Sequence, residues 1–119
     1  MKKVQWLEMF PDELLAAIRE EGICYLPFGL AEPHGAYNAL GLDFIKANGL
    51  MEMAAHEHGG VVAPPFAWHI QERPDFHDDG NGNGWLCDVG VSQNLCSSIP
   101  SKLFYNIVMH QVRAFDARG

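Results

Sequence analysis

Two short apolar runs with a helix-length segment between them constrain the fold of this chain most strongly. The runs are "ICYLPF" (23–28) and "VVAPPF" (61–66), each rich in β-forming residues and too short for a helix. Parallel strands need a crossover of a dozen or more residues, usually a helix. The order strand, loop, helix, strand over residues 23–66 therefore predicts an α/β fold with a right-handed βαβ unit. We expect a mainly parallel sheet flanked by helices.

The first predicted helix is the amphipathic segment "PDELLAAIREEG". It begins at Pro11, which suits a first helical turn, and Gly22 stops it. Leu14, Leu15 and Ile18 share one face. This face predicts packing against the sheet.

Two more helices are predicted further along the chain. The second covers residues 43–58, with "GG" at 59–60 as its stop. The third is "IPSKLFYNIVMHQVRAFDARG", with Pro100 in its first turn and Gly119 at the stop position. Its predicted apolar face comprises Leu103, Phe104, Ile107, Val108, Val112 and Phe115. The segment "WLCDVGV" (85–91) predicts a third strand after a long polar loop at 67–84.

Composition excludes several classes of protein. A chain of 119 residues that is 48% hydrophobic suits one domain, 1–119. A net charge of −7 with only eight scattered Lys and Arg offers no basic stripe, so we expect no nucleic-acid partner. The sequence has no apolar run of about 18 residues and turns acidic before a signal peptide could form. We expect no membrane partner and a cytoplasmic location.

The three cysteines, Cys24, Cys87 and Cys96, are odd in number and lack CxxC spacing. This pattern favours neither a disulfide framework nor a thiolate zinc site. We expect reduced cysteines that pack as small apolar side chains.

The connection "GLAEPHGAYNALGLD" (29–43) gathers Glu32, His34 and Asp43 just after the first predicted strand. Ligands of open α/β sheets bind at the carboxyl ends of the strands. Carboxylates and a neutral imidazole suit a divalent ion such as zinc or manganese. Two other interpretations stay open: Asp43 is also a good helix N-cap, and Glu32 and His34 also suit a solvated loop.

The longer segment "LPFGLAEPHGAYNALGLD" (26–43) resembles the signature of the creatininase, or creatinine amidohydrolase, family. The family's usual form is Leu-Pro-x-Gly-Ser-x-Glu-Gln-His-Gly-Pro-His-Leu-Pro-Leu-Gly-Thr-Asp. The positions that agree are Leu26, Pro27, Gly29, Glu32, His34, Gly35, Leu40, Gly41 and Asp43. Leu30, Pro33 and Tyr37 depart from it, at a Ser, a Gln and a common His position.

This resemblance implies a layered creatininase-like fold and a metal-dependent amidohydrolase. Such an enzyme hydrolyses the C–N bond of a cyclic or linear small-molecule amide through a water activated by two metal ions. By resemblance Glu32 holds one ion, His34 holds the other and Asp43 bridges them, the metal being zinc or manganese. Family members are commonly hexamers, so a homo-oligomer is expected.

The family completes its metal centre with a His and a carboxylate near a later Gly-His-Gly-Gly-Asn-type segment, and nothing in this chain matches it. We therefore expect residues 1–119 to be the N-terminal part of a larger creatininase-like domain. The remaining ligands would come from outside this chain, for example from a C-terminal half supplied separately. The alternative is a non-catalytic assembly or binding domain that keeps the fold without a complete metal centre.

Amide hydrolysis also needs an acid to protonate the leaving nitrogen. His69, His77 and Glu72 on the long polar loop are the candidates in this chain. Each of them is more typical of a solvated loop than of a catalytic acid.

Overall fold

The computed structural model describes residues 2–34, 36–70 and 97–117. Within them lie α1 (Pro11–Glu21), β1 (Cys24–Tyr25), α2 (Leu42–His58), β2 (Val61–Val62), α3 (Ser101–Asp116) and a 3₁₀ turn at Trp6–Glu8. β1 and β2 pair in parallel, and α2 connects them. The described part of the chain therefore has the predicted α/β class. The strand predicted at 85–91 and the stop at Gly119 lie outside the described residues.

Both strands are much shorter than their apolar runs. Each has two residues, and Cys24 and Tyr25 lie opposite Val61 and Val62. Between these two runs, parallel pairing recurs as an isolated bridge between positions 28 and 66. Prolines at positions 27, 64 and 65 have no N–H to donate, so they interrupt the hydrogen-bonded ladder in between. Strands as long as the two runs were a wrong prediction for this reason.

β2 also pairs with the N-terminal segment. The N–H of Val62 donates to the carbonyl oxygen of Val4 at 2.8 Å, and Gln5 forms a parallel bridge with Val62. The neighbouring N–H of Val61 donates instead to Ile23, beside β1. Since successive N–H groups of a strand point to opposite sides, β2 lies between the N-terminal segment and β1.

The core forms where α2 crosses the sheet. Val4, Ala55 and Val62 form a buried cluster, and Tyr25 and Met51 pack against it. Met51 and Ala55 are one turn apart on α2, so their side chains lie on the same face of the helix. Their contact with the sheet fixes α2 over β2.

α1 begins at Pro11 and ends before Gly22, as predicted, and Gly22 adopts the left-handed conformation with φ of 62°. Its buried side chains are Ala17 and Ile18. Leu15 is 38% exposed, so its assignment to the inner face was wrong.

α3 begins at Ser101, and Pro100 precedes it as the N-cap rather than lying in its first turn. Of its predicted apolar face, Phe104 is buried. Leu103 and Val112 on the same face are 48% and 46% exposed, so the described part of the chain leaves this face partly uncovered. The described part of the sheet is too narrow to cover the whole apolar face of α3.

The carboxylate of Glu21 joins the end of α1 to the turn before β2. It accepts a hydrogen bond from the N–H of Gly60 and forms an ion pair with Lys2. The Glu21 side chain is only 14% exposed, whereas that of Lys2 is 61% exposed, so the carboxylate is largely buried and its cationic partner faces water. The two contacts of Glu21 fix the chain entering β2 against the C-terminus of α1.

Burial raises the pKa of the Cys24 thiol to about 12. Because the thiolate is the reactive form, we expect native Cys24 to react with iodoacetamide at pH 8 at least about 100-fold more slowly than in the urea-unfolded chain. Peptide mapping by mass spectrometry gives this rate for each cysteine. Equal rates in the native and unfolded chains would contradict the burial of this thiol.

Candidate metal centre

Glu32, His34 and Asp43 come together beside the end of β1. Glu32 and His34 lie in the loop after this strand, and Asp43 lies in the first turn of α2. One donor atom from each residue lies within 4.8 Å of the other two donor atoms. All three side chains belong to half-buried residues. The structure thus gathers the three residues that the sequence singled out.

The backbone of α2 approaches Gly29 so closely that no other residue fits there. A Cβ on Gly29 would lie 2.3 Å from the nitrogen of Phe44 and 2.7 Å from the carbonyl carbon of Asp43. Gly29 itself is buried. The absence of a side chain at this position therefore allows the first turn of α2 to rest on the chain that leaves β1, which brings Asp43 to the loop.

Hydrogen bonds within the loop turn its chain back toward α2. The N–H of Glu32 donates to the carbonyl oxygen of Leu40 at 2.8 Å, across the loop. The side-chain amide of Asn38 donates to the carbonyl oxygen of His34 at 3.0 Å. These bonds hold Glu32 and His34 on the same short, closed segment as the start of α2.

His34 presents a buried nitrogen that has no hydrogen-bond partner among the described residues. Its Nε2 lies 3.3 Å from Oδ2 of Asp43, but the angles do not make a hydrogen bond, so the contact is an ion pair only with a charged imidazole. In a tetrahedral zinc site with bonds of about 2.0–2.2 Å, neighbouring donor atoms are about 3.4 Å apart. The unpartnered nitrogen and its separation from Asp43 therefore fit a shared divalent ion.

Asp43 does not cap α2. The helix begins at Leu42 with Gly41 as its N-cap, and no side chain makes the capping hydrogen bond. The alternative of an N-cap role for Asp43 is therefore wrong. Its carboxylate instead lies between His34 on one side and Lys46, whose Nζ is 3.5 Å from Oδ1, on the other.

Ser97 supports the loop from a distant part of the chain. Its hydroxyl accepts the N–H of Ala31 at 2.9 Å and donates to the carbonyl oxygen of Ala67. Its own N–H donates to the carbonyl oxygen of Ala31 at 2.8 Å. Both the N–H and the carbonyl oxygen of Ala31, the residue immediately before Glu32, are thus hydrogen-bonded to Ser97. Sequence analysis missed Ser97, since a lone serine gives no signal of such a long-range contact.

His69 makes contacts with residues other than the three donors. Its N–H donates to the carbonyl oxygen of Ser97 at 3.2 Å, and its ring lies 4.2 Å from that of Phe104, centroid to centroid. Its Nδ1 is 3.0 Å from the carbonyl oxygen of Ile70. His69 is not part of the gathered group, and its role as an acid stays a prediction. His77 and Glu72 lie outside the described residues.

Comparisons of the chain with protein-family models, with curated proteins and with solved structures find no match. The assignment of the site therefore depends on its own geometry and on the motif. Among the helices of the described residues, none combines the length and the apolar character that crossing a bilayer requires.

We expect Gly29→Ala to destabilise the protein by about 1–3 kcal/mol, because its Cβ would overlap the backbone of α2. Urea unfolding followed by circular dichroism measures this loss. Gly49→Ala in α2 is the matched control: its Cβ would meet nothing within 4 Å, so helix propensity should leave stability unchanged or raise it by up to about 1 kcal/mol. Equal midpoints for Gly29→Ala and the native chain would show that α2 does not depend on this close approach.

Proposed function

We propose that this chain is the ligand-bearing part of a metal-dependent amidohydrolase of the creatininase type. The observation that carries the proposal is the convergence of Glu32, His34 and Asp43 within 4.8 Å of one another. The unpartnered Nε2 of His34 supports it, because a buried neutral imidazole nitrogen is a common metal ligand. The proposal extends to a layered creatininase-like fold of which the described α2 and parallel strands form one part.

In this proposal the three residues bind zinc or manganese, two ions in the complete site. Glu32 would hold one ion and His34 the other, and the Asp43 carboxylate would be shared between them. Two bound ions would supply a water of lowered pKa and would polarise the amide carbonyl of the substrate. The two carboxylates would also neutralise part of the positive charge of the two ions, which lowers the electrostatic cost of holding both ions in a half-buried position. The remaining ligands come from outside this chain.

The substrate in this proposal is a small cyclic or linear amide, and the broken bond is its C–N bond. Its leaving nitrogen takes a proton from His69, His77 or Glu72. The active form is a homo-oligomer, a hexamer by resemblance, or a pair with a C-terminal half supplied separately.

One observation favours the second candidate, an assembly or binding domain without a complete metal centre. α2 exposes large apolar side chains on its outer face. These are Ile45, Leu50 and Met53, each at least 60% exposed. Apolar surface of this kind is typical of a contact with further protein, and such a contact is the function of an assembly or binding domain.

We expect the apo protein to bind zinc. His34→Ala and Asp43→Asn should each weaken the zinc affinity by more than about 100-fold, because loss of a residue that only hydrogen-bonds to a metal ligand already lowers metal affinity by about 10–100-fold. Isothermal titration calorimetry measures the affinity, and metal analysis after dialysis gives the content. His58→Ala and Asp12→Asn are matched controls, because both residues are exposed and distant from the site in sequence. Retained affinity in both site variants would rule out these residues as ligands.

Hydrolysis assays separate the two candidates. The metal-loaded protein, with its C-terminal half where one exists, is tested against a panel of small cyclic and linear amides. Amine or ammonia release that Asp43→Asn abolishes supports the hydrolase. Zinc binding without hydrolysis of any amide in the panel supports the binding domain.

A further inference from the structure

The two oxygens of the Asp43 carboxylate have different neighbours. Oδ2 faces Nε2 of His34 at 3.3 Å, on the side where the three donors converge. Oδ1 lies 3.5 Å from Nζ of Lys46. Lys46 follows Asp43 by three residues, so the two side chains project from the same face of α2. One carboxylate thus lies between a metal-binding side and a cationic side chain.

We infer that Lys46 controls how many divalent ions the site holds, because its ammonium takes the Asp43 oxygen that a bridging carboxylate would give to a second ion. This inference rests on the proposed metal-binding function. A lysine ammonium is a compact point charge. A divalent ion that approached Oδ1 would meet this charge at the same oxygen and be repelled by it. The chain by itself therefore binds one ion tightly.

Lys46 does not compete with the first ion, because it contacts a different oxygen of Asp43 from the one beside His34. Oδ2 of Asp43 is the oxygen that lies beside His34, and Lys46 contacts the other oxygen. The ammonium also neutralises part of the charge of Asp43. In the chain by itself a single ion would therefore share the three donors. Only in the complete site, with two ions, would Glu32 hold one ion and His34 the other.

Lys46 can also leave. Its side chain is 62% exposed, and the exposed ion pair with Asp43 is of the weak, water-screened kind. Its long aliphatic stem can turn the ammonium into solvent without moving α2. A second ion that gains further ligands from outside this chain would therefore displace it, which links the number of ions to assembly of the complete site.

The test is a zinc titration of the full chain and of Lys46→Gln, which keeps a polar side chain but removes the charge. We expect the native chain to bind one ion, and Lys46→Gln to bind a second ion at least about tenfold more tightly than the native chain does. Calorimetry gives the affinities, and metal analysis after equilibrium dialysis gives the number of ions. In a parallel titration with manganese, spin coupling between neighbouring ions should appear in the electron paramagnetic resonance spectrum of Lys46→Gln alone.

Two control variants isolate the effect of the charge beside Asp43. Lys46→Arg keeps a cation at this position and should behave like the native chain. Lys102→Gln removes the same charge from an exposed position on α3 and should also leave the second ion weak. A second ion that tightens equally in Lys102→Gln would overturn the inference, since it would reflect net charge alone.

The possible failures are distinguishable. If zinc binds but Lys46→Gln shows the same ion number and affinities as the native chain, the role of Lys46 is overturned and the metal site stands. If the native chain already binds two ions equally tightly, the role of Lys46 is likewise overturned and the metal site stands. If neither the native chain nor any variant binds zinc, the proposed function fails together with this inference.

Discussion

The contact between the backbone of α2 and Gly29 is the constraint on which the candidate site depends. The backbones of a strand and the following helix are normally separated by side chains. At Gly29 no side chain separates the chain that leaves β1 from the backbone of α2. The close approach brings a helix terminus, with its exposed N–H groups, against the loop that carries Glu32 and His34. It also turns Asp43, in the first helical turn, toward that loop. Packing of Met51 and Ala55 on the core holds the rest of α2 in the orientation that this contact requires.

The helices could be predicted from the sequence because their signals are local. Pro11 and Gly22 bound α1 as expected, and α2 begins within one residue of its predicted start. The strands could not be predicted in length, because their extent depends on which N–H groups find a partner across the sheet. The burial of the apolar face of α3 could not be predicted either. Periodicity shows which residues share a face of a helix but not how much protein covers that face. Leu103 follows the pattern and is nevertheless half exposed.

In the candidate site, too, the local contacts could be predicted from the sequence and the long-range contacts could not. Glu32, His34 and Asp43 lie within twelve residues, so a motif and a strand end sufficed to predict that they converge. The pairing of Lys46 with Asp43 was also accessible, because a spacing of three on a helix brings side chains together. Ser97 was not accessible: it is 66 residues from Ala31, and only the folded topology joins them. The position of His69 against Phe104 depends on the same long-range pairing.

The hydrogen bond from Glu32 to Leu40 has a consequence for the order of folding. It closes a loop of fewer than ten residues, and loops of this size close in about 10–100 ns, long before strands that are distant in sequence can pair. We therefore expect the segment from Glu32 to Leu40, which carries Glu32 and His34, to close early as a local unit. The slower steps are then those that bring β2 beside β1 and Ser97 beside Ala31. An ion captured by the nascent loop would therefore guide the search for these partners instead of waiting for it to finish.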